Sequence, residues 1–300
     1  MPKIIIRQHI PLRMQSQLAK TLFLLIFVCL AISHVFAAVH AVVPTCGNNG
    51  DGTNWTCAAS SGGAGAYNAI PANLVRGDIY YLADGSYPAY TFSTAASGTA
   101  TVEIRKAQSY DFGGLSGWNT STMGSSQAIF QQPSPPSFTV AASYLVLNGN
   151  GKQTSPGCGV SVGASPTSEP TTPSDCGIRI DNTRCTSSTG DACDNPMHVN
   201  GGVTNFTVEY LELVGNGVNN SERSFFGLYG GGGTSNQYFT GSHLFGRNAG
   251  CVYFVWTSNN WSVKYSYFCL QHKPPANRAG VRGSFVLLAE EAGHRETRIL

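Results

Sequence analysis

Three hundred residues exceed one ordinary core, yet only 11% are charged and 35 are glycine, which suits short strands joined by tight turns and excludes a long helical bundle. The formal net charge of +2 comes from the first twenty residues, where Lys3, Arg7, Arg13 and Lys20 stand without an acid. Without them 14 Lys and Arg face 16 Asp and Glu, a net of −2, so no basic surface for nucleic acid remains.

In chain order the first feature is an export signal. Residues 21–36 are almost purely apolar, and small residues after them offer cleavage behind Val35-Phe-Ala37 or Val39-His-Ala41. We read residues 1–41 as a signal peptide. The alternative is an uncleaved anchor, because the apolar run through Val39 nearly spans a bilayer. With the signal removed, no membrane span is expected, and the chain is placed outside the cell, in a periplasm or at a cell surface. Cysteine usage agrees. Cys29 leaves with the signal, and an even number remains, as in disulfide-bonded exported chains. Neighbour pairing predicts Cys46–Cys57, Cys158–Cys176, Cys185–Cys193 and Cys251–Cys269. Zinc is disfavoured because no Cys-x-x-Cys occurs.

Residues 42–76 read as an N-terminal cap. They begin with Gly, Asn, Ser and Thr inside the Cys46–Cys57 loop and end in a weakly amphipathic stretch at 67–75, a helix or a turn. A strand is expected at 79–82 between turns at Gly77-Asp78 and Asp84-Gly85, and residues 98–106 alternate cleanly as the next one. Residues 110–126 form a Gly/Ser-rich excursion. Residues 127–140 return to strand with a break at the prolines of 133–136, and 143–151 follow as a further strand. Residues 157–196 carry Pro, Ser, Thr and four cysteines around one short strand at 177–181, and read as a disulfide-laced excursion on one face.

Three later segments, 203–213, 235–245 and 258–268, are versions of one another. Each has an aromatic (Phe206, Tyr238, Trp261), then a β-branched residue two positions on (Val208, Thr240, Val263), and a close on Leu213, Phe245 or Phe268. The aromatics are 32 and then 23 residues apart. A period in the twenties with strand-forming residues marks a β-solenoid, whose repeats bury their faces only by stacking. After Cys269 the pattern stops. Residues 271–300 become helix-permissive around 285–292 and are either a cap or a truncated end.

Gly77-Asp-Ile-Tyr-Tyr-Leu-Ala-Asp-Gly-Ser-Tyr87, with Ser97-Gly-Thr99 and Val102-Glu-Ile-Arg-Lys-Ala107, resembles the opening coil of the right-handed parallel β-helix proteins of the pectate-lyase-like superfamily. Ser143-Tyr-Leu-Val-Leu-Asn-Gly-Asn-Gly151 and residues 203–217 look like its interior coils. The resemblance implies an all-β fold, a single right-handed parallel β-helix over residues 77–270. For chemistry it implies less, since the superfamily holds lyases, hydrolases, epimerases and adhesins.

The expectation that follows is a monomeric, secreted, carbohydrate-active protein that binds an acidic polysaccharide or cleaves it by β-elimination. Elimination needs a base for the proton beside the uronate carboxyl and a cation to neutralise that carboxyl. Lys264 or Arg247 would be the cation and His243 or Arg247 the base, with His272 and Lys273 as further candidates. If the aligned aromatics point inward, Glu209, Gly241 and Lys264 share an outward column, which leaves Lys264 free for a ligand; the plainer reading is a solvated lysine. Ca2+ is a possible cofactor through Asp175, Asp181, Asp191 and Asp194, though their spacing matches no calcium loop. Hydrolysis is disfavoured for want of paired carboxylates along the repeats. Tyr238, Trp256 and Trp261 are either a sugar-stacking platform or core. The competing function is a non-catalytic adhesion or glycan-binding module that uses the ladder face.

Overall fold

A computed structural model describes residues 37–133, 136–151, 176–185, 196–215, 226–228, 237–247, 254–255, 262–264, 266–268 and 285–287, with side chains to 215 and again over 240–246. After β1 (Val39–Val42), strands come in threes: β2 (Ile79–Leu82), β3 (Gly85–Tyr87) and β4 (Tyr90–Phe92), then β5 (Val102–Lys106), β6 (Ala128–Gln131) and β7 (Phe138–Val140). The series continues with β8 (Leu145–Asn148), β9 (Ile178–Asp181) and β10 (Met197–Val199), then β11 (Thr204–Glu209), β12 (Leu211–Val214) and β13 (Phe226–Leu228). It ends with β14 (Gln237–Ser242), β15 (Phe245–Arg247), β16 (Phe254–Val255), β17 (Ser262–Lys264), β18 (Ser266–Phe268) and β19 (Phe285–Leu287).

The fold is all-β, with three parallel sheets and one four-residue helical turn, Thr120–Met123, among the described residues. First members of the threes make the sheet β1-β2-β5-β8-β11-β14-β17. Second members make β3-β6-β9-β12-β15-β18 with β19 at its end, and third members make β4-β7-β10-β13-β16. From β2 to β18 each pairing therefore joins a strand to the one three places on in the chain, while β1 pairs with β2 and β19 with β18.

Alternation decides which side chains go inside. In the first sheet Tyr80, Ile104, Leu147 and Val208 lie in one register column and are all buried. Val102, Leu145 and Phe206 form the next. The second sheet adds Phe130, Ile180 and Leu213, and the third adds Phe92, Val140 and Val199. All belong to one continuous core, in which Tyr87 stacks on Phe130 and Phe130 meets Phe138 edge-on at 5.2 Å. Burying each such side chain contributes about 1.5–3 kcal/mol.

Several expectations meet this framework directly. The strand at 79–82 is β2, the alternating stretch is β5, and the proline break separates β6 from β7. The 67–75 piece is irregular rather than helical, but Ile70 and Leu74 reach the core. The strand inside the Cys-rich stretch, β9, lies between β6 and β12, so it belongs to the body rather than to a projection. Two glycines allow this return. A Cβ on Gly149 would collide with the Tyr210 carbonyl oxygen, and one on Gly177 with that of Gly149. In the tail, Phe285–Leu287 is a strand antiparallel to β18, not a helix, and it covers that strand's edge.

The repeat alignment needs one correction. Phe206 pairs with Phe239, and Val208 with Gly241, which pairs with Val263. The middle repeat is therefore shifted by one residue, and Tyr238 and Thr240 leave the columns assigned to them. A one-residue slip exchanges the two faces of a strand. The register column that holds Glu209 is Glu209, Ser242 and Lys264, not Glu209, Gly241 and Lys264.

Cys46–Cys57 is a disulfide with Cα atoms 5.1 Å apart. Cys176 and Cys185 are also disulfide-bonded. Their expected partners Cys158 and Cys193, and the pair Cys251–Cys269, lie outside the described residues. No described helix is long and apolar enough to cross a membrane.

Candidate functional site

The outer face of the first sheet has two halves. At its N-terminal end Val39, Ala41, Ile79 and Tyr81 are covered by Trp55, Phe112, Leu115 and Trp118, which form a second apolar cluster outside the sheet. The Trp55 indole N–H donates to the Phe112 carbonyl at 3.1 Å, and Trp118 packs edge-on against Trp55. Beyond this cover the same face turns polar. One register column runs Tyr81, Arg105, Asn148, Glu209, Ser242, Lys264, a single position per strand. Neighbouring members are about 4.8 Å apart, the strand spacing.

Arg105 anchors the column. Its Nε and Nη2 donate to Glu103 at 2.6 and 2.8 Å, and its Nη1 donates to Asp111 Oδ2 at 2.9 Å and to the Tyr81 hydroxyl at 3.1 Å. The Tyr81 O–H donates to Asp111 Oδ1 at 2.6 Å, while the guanidinium lies over the Tyr81 ring. Burial works against the guanidinium charge, but Glu103, Tyr81 and Asp111 together hold its pKa above the ordinary value. Burial and then the Asp111 hydrogen bond push the Tyr81 hydroxyl up as well. Asn148 Nδ2 donates to Glu103 Oε1 at 3.3 Å, and Asn150 Nδ2 to Asp111 Oδ2 at 3.1 Å. Bidentate pairing of this kind fixes orientation as well as charge.

Glu209 is half-buried, and burial raises its carboxyl above the ordinary value. The nearby Glu103 adds to this, while the Ser242 hydroxyl, 3.4 Å from Oε1, and Arg105 act against it. Tyr110, 46% exposed, flanks the column, with its hydroxyl donating to the Asn150 carbonyl at 2.5 Å.

The residues expected to carry elimination are distributed as follows. Lys264 occupies the column two strands beyond Glu209. His243 follows Ser242 at the corner into β15, in left-handed backbone with φ 52°, and its ring stacks on Tyr210 at 4.4 Å. Tyr210, also left-handed at φ 53°, follows Glu209 in the same way. Burial lowers the His243 pKa, which favours neutral imidazole. Arg247 ends β15 in the second sheet, opposite Val214, so its backbone is not on the sheet that carries Lys264. His272 and Lys273, with Trp256 and Trp261, lie outside the described residues.

No three acidic, histidine or cysteine side chains converge as a metal site among the described residues. Of the acids considered for calcium, Asp181 is 5% exposed and structural: it pairs with Arg179 at 2.6 Å and accepts from the Thr183 amide. Asp175, Asp191 and Asp194 lie outside the described residues.

Glu103, Arg105, Asp111, Asn148 and Ser242 were not singled out from sequence. The alternation of residues 102–106 places Glu103 and Arg105 on one face, and that was the available signal. The cross-strand partners were hidden by the unequal insertions between strands. Comparison with protein-family models, with curated proteins and with solved structures finds no match for this chain.

Proposed function

We propose that the chain is an extracellular right-handed parallel β-helix that binds a polysaccharide along the polar column of its first sheet. The observation that carries this reading is the column itself: Arg105, Asn148, Glu209, Ser242 and Lys264, one per strand, beside the exposed ring of Tyr110. A row of donors and acceptors repeating at strand spacing suits a linear polymer of hydroxylated units laid across the strands, and an aromatic ring suits a sugar face. The cyclic passage of the chain through three parallel sheets supports the coil, and the Cys46–Cys57 disulfide and apolar leader support export.

The charge of the column favours a neutral glycan. Glu103, Asp111 and Glu209 face one guanidinium that two of them already neutralise. Among the described residues of this column, an acidic polymer would find its remaining counter-charge toward Lys264. That end supports a second reading, elimination on a uronate, with Lys264 against the carboxylate and neutral His243 as the base.

The test is affinity electrophoresis of the exported protein in gels holding neutral glycans, pectate or alginate, with absorbance of unsaturated uronate followed in parallel. Retardation by a neutral glycan without absorbance is expected. A rise in absorbance that Lys264→Ala abolishes would establish the second reading, and no retardation by any glycan would overturn the first.

A further inference from the structure

The signal-like leader offers two cleavage positions, and the first strand distinguishes them. Cleavage after Ala41 would remove most of β1. Its residues Val39–Val42 pair in register with Ile79–Leu82, Ala41 is fully buried, and the His40 ring stacks on Tyr80 at 4.6 Å. The Ala41 amide donates to Gly52 and its carbonyl accepts from Tyr67, so the cap is also hung on this strand. Cleavage after Ala37 leaves all of this intact. Ala37 and Ala38 are exposed, and the compact unit of the fold begins at Ala38.

A second observation concerns charge. Asp78 is 6% exposed, and its only ion-pair partner among the described residues is His40, Nε2 to Oδ2 at 2.9 Å. Its other oxygen, Oδ1, accepts from the Ala38 backbone nitrogen at 3.0 Å. The Ala38 carbonyl is fixed at the same time by the Ile79 amide. A buried carboxylate calls for a cation. In the uncut chain that nitrogen is a neutral amide.

We propose that the chain is processed between Ala37 and Ala38, and that the α-ammonium so created forms an ion pair with Asp78. Peptide-bond hydrolysis consumes one water, leaves the carboxylate on Ala37 and places the new amine on Ala38, where it takes up a proton at neutral pH. Processing thus converts an amide–carboxylate hydrogen bond into a charge-paired clamp that holds the first strand on the sheet.

The full chain expressed in a secreting host should yield a product whose intact mass and N-terminal sequence begin at Ala38. A product that begins at Val42, or one that keeps the leader, would overturn the proposal. The clamp is read separately on the exported protein. Acylation of the Ala38 amine at neutral pH should be roughly tenfold slower than in Asp78→Asn, since each unit of raised pKa removes tenfold of the reactive free amine. Should Asp78→Asn fail to fold, a chain begun at Phe36 moves the ammonium two residues away from Asp78 and should melt lower than one begun at Ala38. Equal labelling, or equal melting in the second pair, would overturn the clamp.

Discussion

The two halves of the first sheet's outer face belong to one sheet with one pleat, yet one is an apolar cluster and the other a polar ladder. The change occurs between β2 and β5. Tyr81 belongs to both, with its ring under the Trp55 cover and its hydroxyl on Asp111 and Arg105. What separates the halves is which strands the cap and the 107–127 excursion cover. A parallel sheet in this arrangement is already filled from inside, so its outer face needs no apolar residues. Where those residues occur, a loop lies over them; where none of the described loops does, the positions are polar. On the proposed reading, the cover serves stability and the polar ladder is left for recognition.

Breaking the covered half should give the largest effect. Lys106 adjoins Arg105 in sequence but points to the opposite face and is completely buried. Its ammonium donates to the carbonyls of Ala107 at 2.6 Å and Met123 at 3.0 Å, and pairs with Asp84 at 2.8 Å. Asp84 also accepts from the amides of Ser125 and Ser126. This lysine ties the excursion that supplies Trp118 and Met123 back to the sheet. Lys106→Ala should cost about 3–5 kcal/mol in chemical denaturation, because it leaves a carboxylate without its cation. Trp55→Ala should cost a similar ~3–5 kcal/mol through the cavity left in the cover. Neither should abolish glycan binding in protein that remains folded, and loss of both properties together would merge the two halves.

Opening the cap's cross-link comes next. Cys46→Ser with Cys57→Ser should lower stability by about 2–4 kcal/mol. Measured as a melting shift under non-reducing conditions, the loss should match that of wild-type protein after reduction of this bond alone.

The open half should respond in the opposite sense. Tyr110→Ala removes an exposed ring and should leave the melting temperature unchanged within error, while glycan affinity falls by roughly 1 kcal/mol or more. An unchanged affinity would remove Tyr110 from the site.

Much of the covered half was legible in sequence and little of the open half was. Strand positions such as 79–82 and 102–106 follow from local alternation, and Cys46 with Cys57 from proximity. The ladder depends on register between strands separated by insertions of unequal length. That is why the middle repeat was placed one residue out, which put Gly241 in a column that belongs to Ser242. Glu103 and Arg105 share a face by alternation alone, but nothing local says that Asp111 folds back onto them or that Asn148 lies above. Asp181, which looked like a loop acid, is buried because β9 runs inside the sheet, another long-range fact.

The finest separation of the halves rests on Glu209, whose burial is a cost rather than a support. Its folded-state pKa is raised above the ordinary 4.5, chiefly by burial. Between those two values the folded chain keeps a proton that the unfolded chain has lost. The contribution to stability is therefore fully present below the ordinary value and lost as pH rises through the folded one. At neutral pH wild-type protein carries the whole penalty of a half-buried charge. Glu209→Gln removes the titration and keeps a side chain able to hydrogen-bond Ser242. The variant should melt slightly above wild type at pH 7, and the gap should close as pH is lowered past 4.5. A variant less stable than wild type at pH 7 would mean that the carboxylate supports the fold, and the open ladder would then belong to structure as much as the cover does.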